Sequence, residues 1–226
     1  MELQAIGRQR PNQIDAIRGW LAPGPLTAFR DSVRASTTLW IDPTTRNLGF
    51  TRCGSAYSAN DPNAEAFDHA TAHAVEAVGF PRKVAMRLTA AMHELRDNVY
   101  EHSGDAETGI IAFQARPNRF DLVVSDRGQG VLQSLRKNSQ FAHLSDHGIA
   151  LQQSVRDGVS SRGPNTGGGF GFRDIFTGLA NMNCDLRFRS GDHAMTIQGT
   201  SPDPKNAQLS QKAMIAGFIA VVTCYA

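Results

Sequence analysis

Apolar positions follow two periods along this chain, and the change between them divides helix from sheet. Asn60-Asp61-Pro62 supplies a capping residue and a proline at the first helical position. Phe67, Ala70, Ala74 and Val78 then recur at helical spacing until Gly79 ends the segment. A second helix is predicted from Pro81, with Leu88, Met92, Leu95 and Val99 on one stripe and a stop near Ser103-Gly104. From Gly109 the pattern becomes that of strands. Residues 109–115 and 120–125 are rich in β-branched and aromatic side chains and meet at Pro117-Asn118, as a hairpin does.

Outside this block the signals are sparser. Pro23-Gly24-Pro25 punctuates a short helical stretch, and residues 37–41 and 48–52 read as two strands. Residues 1–58 form a segment of unknown role, and residues 59–226 a second unit. A polar connection with a helix near 149–155 leads to the glycines Gly163, Gly167, Gly168, Gly169 and Gly171. A helix with Phe172, Ile175, Phe176 and Leu179 on one side follows, then strands near 185–188 and 194–198 and a last buried strand within 213–226. Helices mixed with hairpins, without strict βαβ alternation, predict an α+β sandwich with a largely antiparallel sheet.

With 41% hydrophobic and 19% charged residues, the composition is that of a folded globular chain and excludes a disordered or fibrous one. The formal charge of +2 is dispersed, so nucleic acid is not an expected partner. The first twenty residues carry charges throughout and no continuous apolar run, and residues 213–226 are too few to span a bilayer, so no membrane role is expected. Cys53, Cys184 and Cys224 are odd in number, widely spaced and without a CxxC pair, which suggests a reducing cytoplasm.

The chemistry gathers in three places. Turning about 100° per residue, the second helix puts Glu94, Asp97, Asn98, Glu101 and His102 on one polar face beside the apolar stripe. Carboxylates at such spacings repel, by a few tenths of a kcal/mol per pair; a divalent cation would offset this, as would simple solvation. His93-Glu94 opens like a zinc-binding HExxH, but Asp97 stands where the second histidine belongs. After residues 120–125 come Asp126, Gly128 and Gly130 in a DxGxG pattern, a carboxylate at a strand end whose glycines allow a tight turn. The third place is Gly167-Gly168-Gly169-Phe170-Gly171-Phe172, running into a helix, where backbone N–H groups can face an anion. Neither a Walker A loop nor a Rossmann fingerprint fits these spacings.

Taken in order, these elements resemble the gyrase, heat-shock chaperone, histidine kinase and MutL (GHKL) superfamily of ATP-binding domains, over about residues 60–226. Residues 93–102 look like its N-box, 125–130 like its G1 box and 167–172 like its G2 box. The resemblance implies the Bergerat fold, a two-layer α/β sandwich whose mixed, largely antiparallel sheet is covered on one face by helices. It also implies ATP and Mg²⁺ as ligands. Asn98 is then the Mg²⁺ ligand and Asp126 the adenine-reading carboxylate. Gly128, Gly130, Gly167, Gly168, Gly169 and Gly171 line the nucleotide, and Glu94 is the general base. Gly217-Phe218 departs from the family's common Gly-Thr, removing a hydroxyl on the adenine side. His93-Glu94-Leu95-Arg96 also looks like the start of a phosphoacceptor box, but Asp97 breaks that pattern and no second N-box follows, so His93 is read as structural.

Two functions fit. One is an enzyme of the stand-alone, anti-sigma-kinase-like type that hydrolyses ATP or phosphorylates a partner protein on serine or threonine. The other is a catalytically silent regulatory module in which nucleotide orders a lid over residues 131–166 and so gates a protein contact. The protein partner is unspecified, and a homodimer is left open.

Overall fold

The computed structural model describes residues 24–58, 60–155, 179, 183–199 and 206–226. Among them six strands form one open sheet, in the order β1-β2-β3-β4-β6-β5. They are β1 (Leu39–Ile41), β2 (Leu48–Arg52), β3 (Ile110–Arg116), β4 (Arg119–Asp126), β5 (Cys184–Ile197) and β6 (Gln208–Tyr225). Every pairing is antiparallel, so the parallel component that "mixed" allowed has no counterpart among the described strands. Among the described residues five α-helices accompany the sheet: α1 (Pro25–Arg34), α2 (Pro62–Ala77), α3 (Arg82–His102), α4 (Gly130–Arg136) and α5 (His147–Ser154). The chain is an α+β protein compatible with a two-layer α/β sandwich in which α2–α5 pack on one face of the sheet; α1 departs from the expectation that helices cover one face only.

The helices start and stop where the local chemistry requires. Asp61 caps α2 by accepting a hydrogen bond from the Asn63 backbone N–H at 2.9 Å, with Pro62 in the first turn. Gly79, at φ +105°, ends the turn that follows α2. In α3 the buried positions are Ala85, Leu88, Ala91, Met92, Leu95 and Val99, the expected stripe. That stripe joins Phe113 of β3 and Phe120, Leu122 and Val124 of β4 in the main core, to which Phe67 of α2 adds its ring 5.4 Å from Phe113. Each such side chain contributes about 1.5–3 kcal/mol on burial.

Because side chains alternate along a strand, Ile110 and Ala112 face away from this core. With Phe50 and Val33 they form a second, smaller core, closed by Phe29 of α1 and Trp40 of β1. Part of residues 1–58 therefore extends the same sheet through β1 and β2, and α1 covers its opposite face at the β2–β3 end.

Three features differ from the expectations. The two strands predicted near 185–188 and 194–198 are one continuous β5, because bulges around Gly191 (φ +60°) absorb the irregularity without ending the pairing with β6. Cys184 and Cys224 form a disulfide; they are 40 residues apart in sequence, but the β5–β6 register sets them directly opposite each other. The absence of a CxxC pair therefore did not mean the absence of a disulfide. Finally, Val131, Leu132, Leu135, Phe141, Leu144, Ala150 and Leu151 are buried in the main core, so residues 131–155 are packed structure and not a free lid. No helix among the described residues is long and apolar enough to cross a membrane.

Candidate functional site

Asp126 ends β4. Strand alternation puts its carboxylate on the same face as Phe120, Leu122 and Val124, at the rim of the main core and 4% exposed. Its Oδ1 accepts the Gly128 backbone N–H at 2.8 Å, and the Phe218 backbone also hydrogen-bonds the carboxylate. Burial is the dominant influence and pushes its pKa up to about 6; the Gly128 and Phe218 hydrogen bonds oppose this, and the nearby Asp105 charge adds to it. At the same level of the sheet lie Phe218 of β6 and Ser190 of β5, and Phe218 stacks on Phe188 with ring centroids 5.8 Å apart.

The loop after Asp126 is seated on the end of α3. A Cβ on Gly128 would lie 2.0 Å from the Ser103 carbonyl oxygen, so only glycine fits there. The Gln129 backbone N–H donates to that carbonyl at 2.8 Å, and its side-chain amide donates to the His102 carbonyl at 2.5 Å. The loop thus satisfies acceptors that the last turn of a helix leaves open. Gly130, at φ +73°, passes under Ser190, whose Oγ accepts the Val131 N–H and donates to the Gly217 carbonyl, both at 3.0 Å. Gly217, at φ +74°, is equally constrained: a Cβ there would come within 2.2 Å of the Asp126 carbonyl oxygen. Ser190 and Ser103 were not singled out from the sequence. Ser190 is a small polar residue with no neighbouring motif whose role arises from register, and Ser103 appeared in the sequence only as a helix stop.

This seating brings two of the three predicted elements together. Asn98, half-buried, lies one helical turn before His102, about 6 Å along the axis. Glu94 lies a further turn back and is exposed. Between them Asp97 is half-buried, with its Oδ1 enclosed and without a hydrogen-bond partner. Burial raises its pKa, opposed by Arg96 and His93 and reinforced by Glu101. Of the third element nothing is described: Gly167, Gly168, Gly169 and Gly171 fall outside the described residues, as do Phe172, Ile175 and Phe176.

His93 pairs with Asp68 at 2.7 Å, joining α3 to α2. Cys53 is buried and its thiol is pushed up to about 11, chiefly by burial, so it is protonated at neutral pH and is no nucleophile. Among the described residues no three His, Cys, Asp or Glu side chains come together as a metal cage. A cation at this face would take its ligands from few protein oxygens together with phosphate and water. Asn98 offers an amide oxygen of the hard type that Mg²⁺ prefers, and the unpartnered Asp97 oxygen is of the same chemistry.

No family model, no curated protein and no solved structure matches this chain.

Proposed function

We propose that the chain binds ATP with Mg²⁺ at the junction of α3 and the loop after Asp126, and that it uses the nucleotide for hydrolysis or for phosphorylation of a partner protein on serine or threonine. The observation that carries this reading is the docking of Gly128 and Gln129 on Ser103 and His102. It joins a buried carboxylate suited to an amino group with a helix face suited to a cation. The GHKL resemblance assigns these two segments to its G1 box and N-box, and the α+β architecture is compatible with that superfamily's fold.

Within this reading Asp126 accepts a hydrogen bond from the adenine amine, and Gly128 and Gly130 let backbone approach the base. Asn98 would hold Mg²⁺, which when bound neutralises phosphate charge. Glu94, exposed one turn from Asn98, would take a proton from an attacking water or hydroxyl whose oxygen bonds the γ-phosphorus in line, as the bond from that phosphorus to the β–γ bridging oxygen breaks and ADP leaves. Gly167, Gly168, Gly169 and Gly171 are proposed as phosphate donors on sequence grounds alone.

Phe218 in place of a hydroxyl favours a second reading, a silent module gated by nucleotide. In that reading residues 131–155 contribute packed structure. Glu94→Ala separates the two. In the enzyme it abolishes phosphate release and label transfer while nucleotide affinity stays within about threefold, because a general base contributes little to ground-state binding. A mutant as active as wild type removes Glu94 from the mechanism.

A further inference from the structure

We propose that protonation of Asp126 sets the choice between adenine and guanine at this site, so that discrimination against guanine is lost as the medium turns mildly acidic. This rests on the nucleotide-site reading above and concerns how that site selects its base.

Among the described residues, no cation acts on the carboxyl. It closes the row Phe120, Leu122, Val124 and lies opposite Phe218, which itself stacks on Phe188. The groups that act on it are two backbone donors, at Gly128 and Phe218, and one like charge, Asp105, on the connection from α3 to β3. Cys53, just beyond β2, also senses it, and that thiol stays protonated. Facing residues of β5 and β6, namely Phe188, Ser190 and Phe218, do not titrate. Arg127 follows in sequence, but it is exposed and its backbone N–H is directed to Thr108. A buried carboxyl of this kind changes its protonation close to the physiological range.

The two forms recognise different bases. An ionised carboxylate only accepts; it suits the adenine amine and repels the guanine carbonyl oxygen. A protonated carboxyl accepts with one oxygen and donates with the other. It thereby matches the adenine amine and N1, and equally the guanine N1–H and carbonyl oxygen. Protonation removes the penalty on guanine while leaving adenine a partner. By reciprocity, bound guanine must raise the proton affinity of Asp126.

The test is the ratio of GTP to ATP dissociation constants for the full chain with Mg²⁺, measured by calorimetry between pH 5 and 8. The triphosphate is common to both ligands, so its own titration cancels. The ratio should fall about tenfold between pH 7.5 and 5, with the fall starting above pH 6 because bound guanine holds the Asp126 proton more tightly than the free site does. Asp126→Asn, which donates and accepts at every pH, should make it flat. Phe218→Thr places a hydroxyl on the same face and level as the carboxyl and should move the midpoint to lower pH. A ratio constant with pH in wild type, with ATP binding intact, overturns the inference and leaves the site standing. No ATP binding at pH 7.5 overturns both. Carbon-13 titration of the Asp126 carboxyl in nucleotide-free protein gives an independent check, and a midpoint near pH 4 contradicts the inference.

Discussion

Gly128 and the carbonyl of Ser103 are in such close approach that a methyl group between them would sit 2.0 Å from oxygen. This joins the end of α3 to the loop that follows the buried carboxylate, two segments that only the folded chain makes neighbours. Gly128→Ala must displace backbone, and a core overpacked in this way loses about 1–3 kcal/mol. Thermal unfolding should drop by several degrees. Gly24→Ala, where nothing lies within 4 Å of the added carbon, should change it little.

Cys184–Cys224 closes a loop of 40 residues between an edge strand and its neighbour. On the chain-entropy account a bridge of that span stabilises by about 3–4 kcal/mol. Protein alkylated under denaturing, non-reducing conditions should show one reactive thiol, Cys53, and three after reduction. Reductant should lower the unfolding temperature, and Cys184→Ser should reproduce that loss and leave the temperature insensitive to reductant.

Asp126 also leaves a mark on stability. Its folded pKa, about 6, lies above its ordinary value of 3.8, so the folded state holds an extra proton between roughly pH 4 and 6. A group raised in this sense contributes stability that is full below the lower value and lost as pH rises through the upper one. The loss is of order 2–3 kcal/mol, which is several degrees for a chain of this size. Relative to Asp126→Asn, wild-type protein should therefore lose unfolding temperature from pH 4 to 7. A gap between the two that is constant with pH would contradict the burial argument.

The parts of this structure legible in the sequence are those fixed by local period. The stripe of α3, its polar face, the Asp61-Pro62 start of α2 and the hairpin of β3 and β4 depend on neighbours within a few residues, and the structure reproduces them. What was not legible depends on register across the sheet. Ser190 gains its partners only because β5 aligns with Gly217 and Val131, and the disulfide only because Cys184 falls opposite Cys224. The helix near 149–155 was legible and is α5, but α4 and the packing of residues 131–144 hide in a polar-looking connection because single apolar residues, Phe141 and Leu144 among them, do the packing without a sustained period. Asp126 itself was legible as a carboxylate at a strand end. Its burial was not, since that requires knowing which face of β4 meets the helices.

The central claim is that Asn98 and Asp126 belong to one ATP·Mg²⁺ site. Calorimetric titration of the whole chain with ATP, in Mg²⁺ and in EDTA, tests it most directly. Binding should appear in the micromolar to millimolar range and weaken in EDTA. It should weaken also in Asn98→Ala, and by about 1–3 kcal/mol in Asp126→Ala through loss of the charged acceptor. Affinity that is the same with and without Mg²⁺, and unchanged by either substitution, would contradict the account.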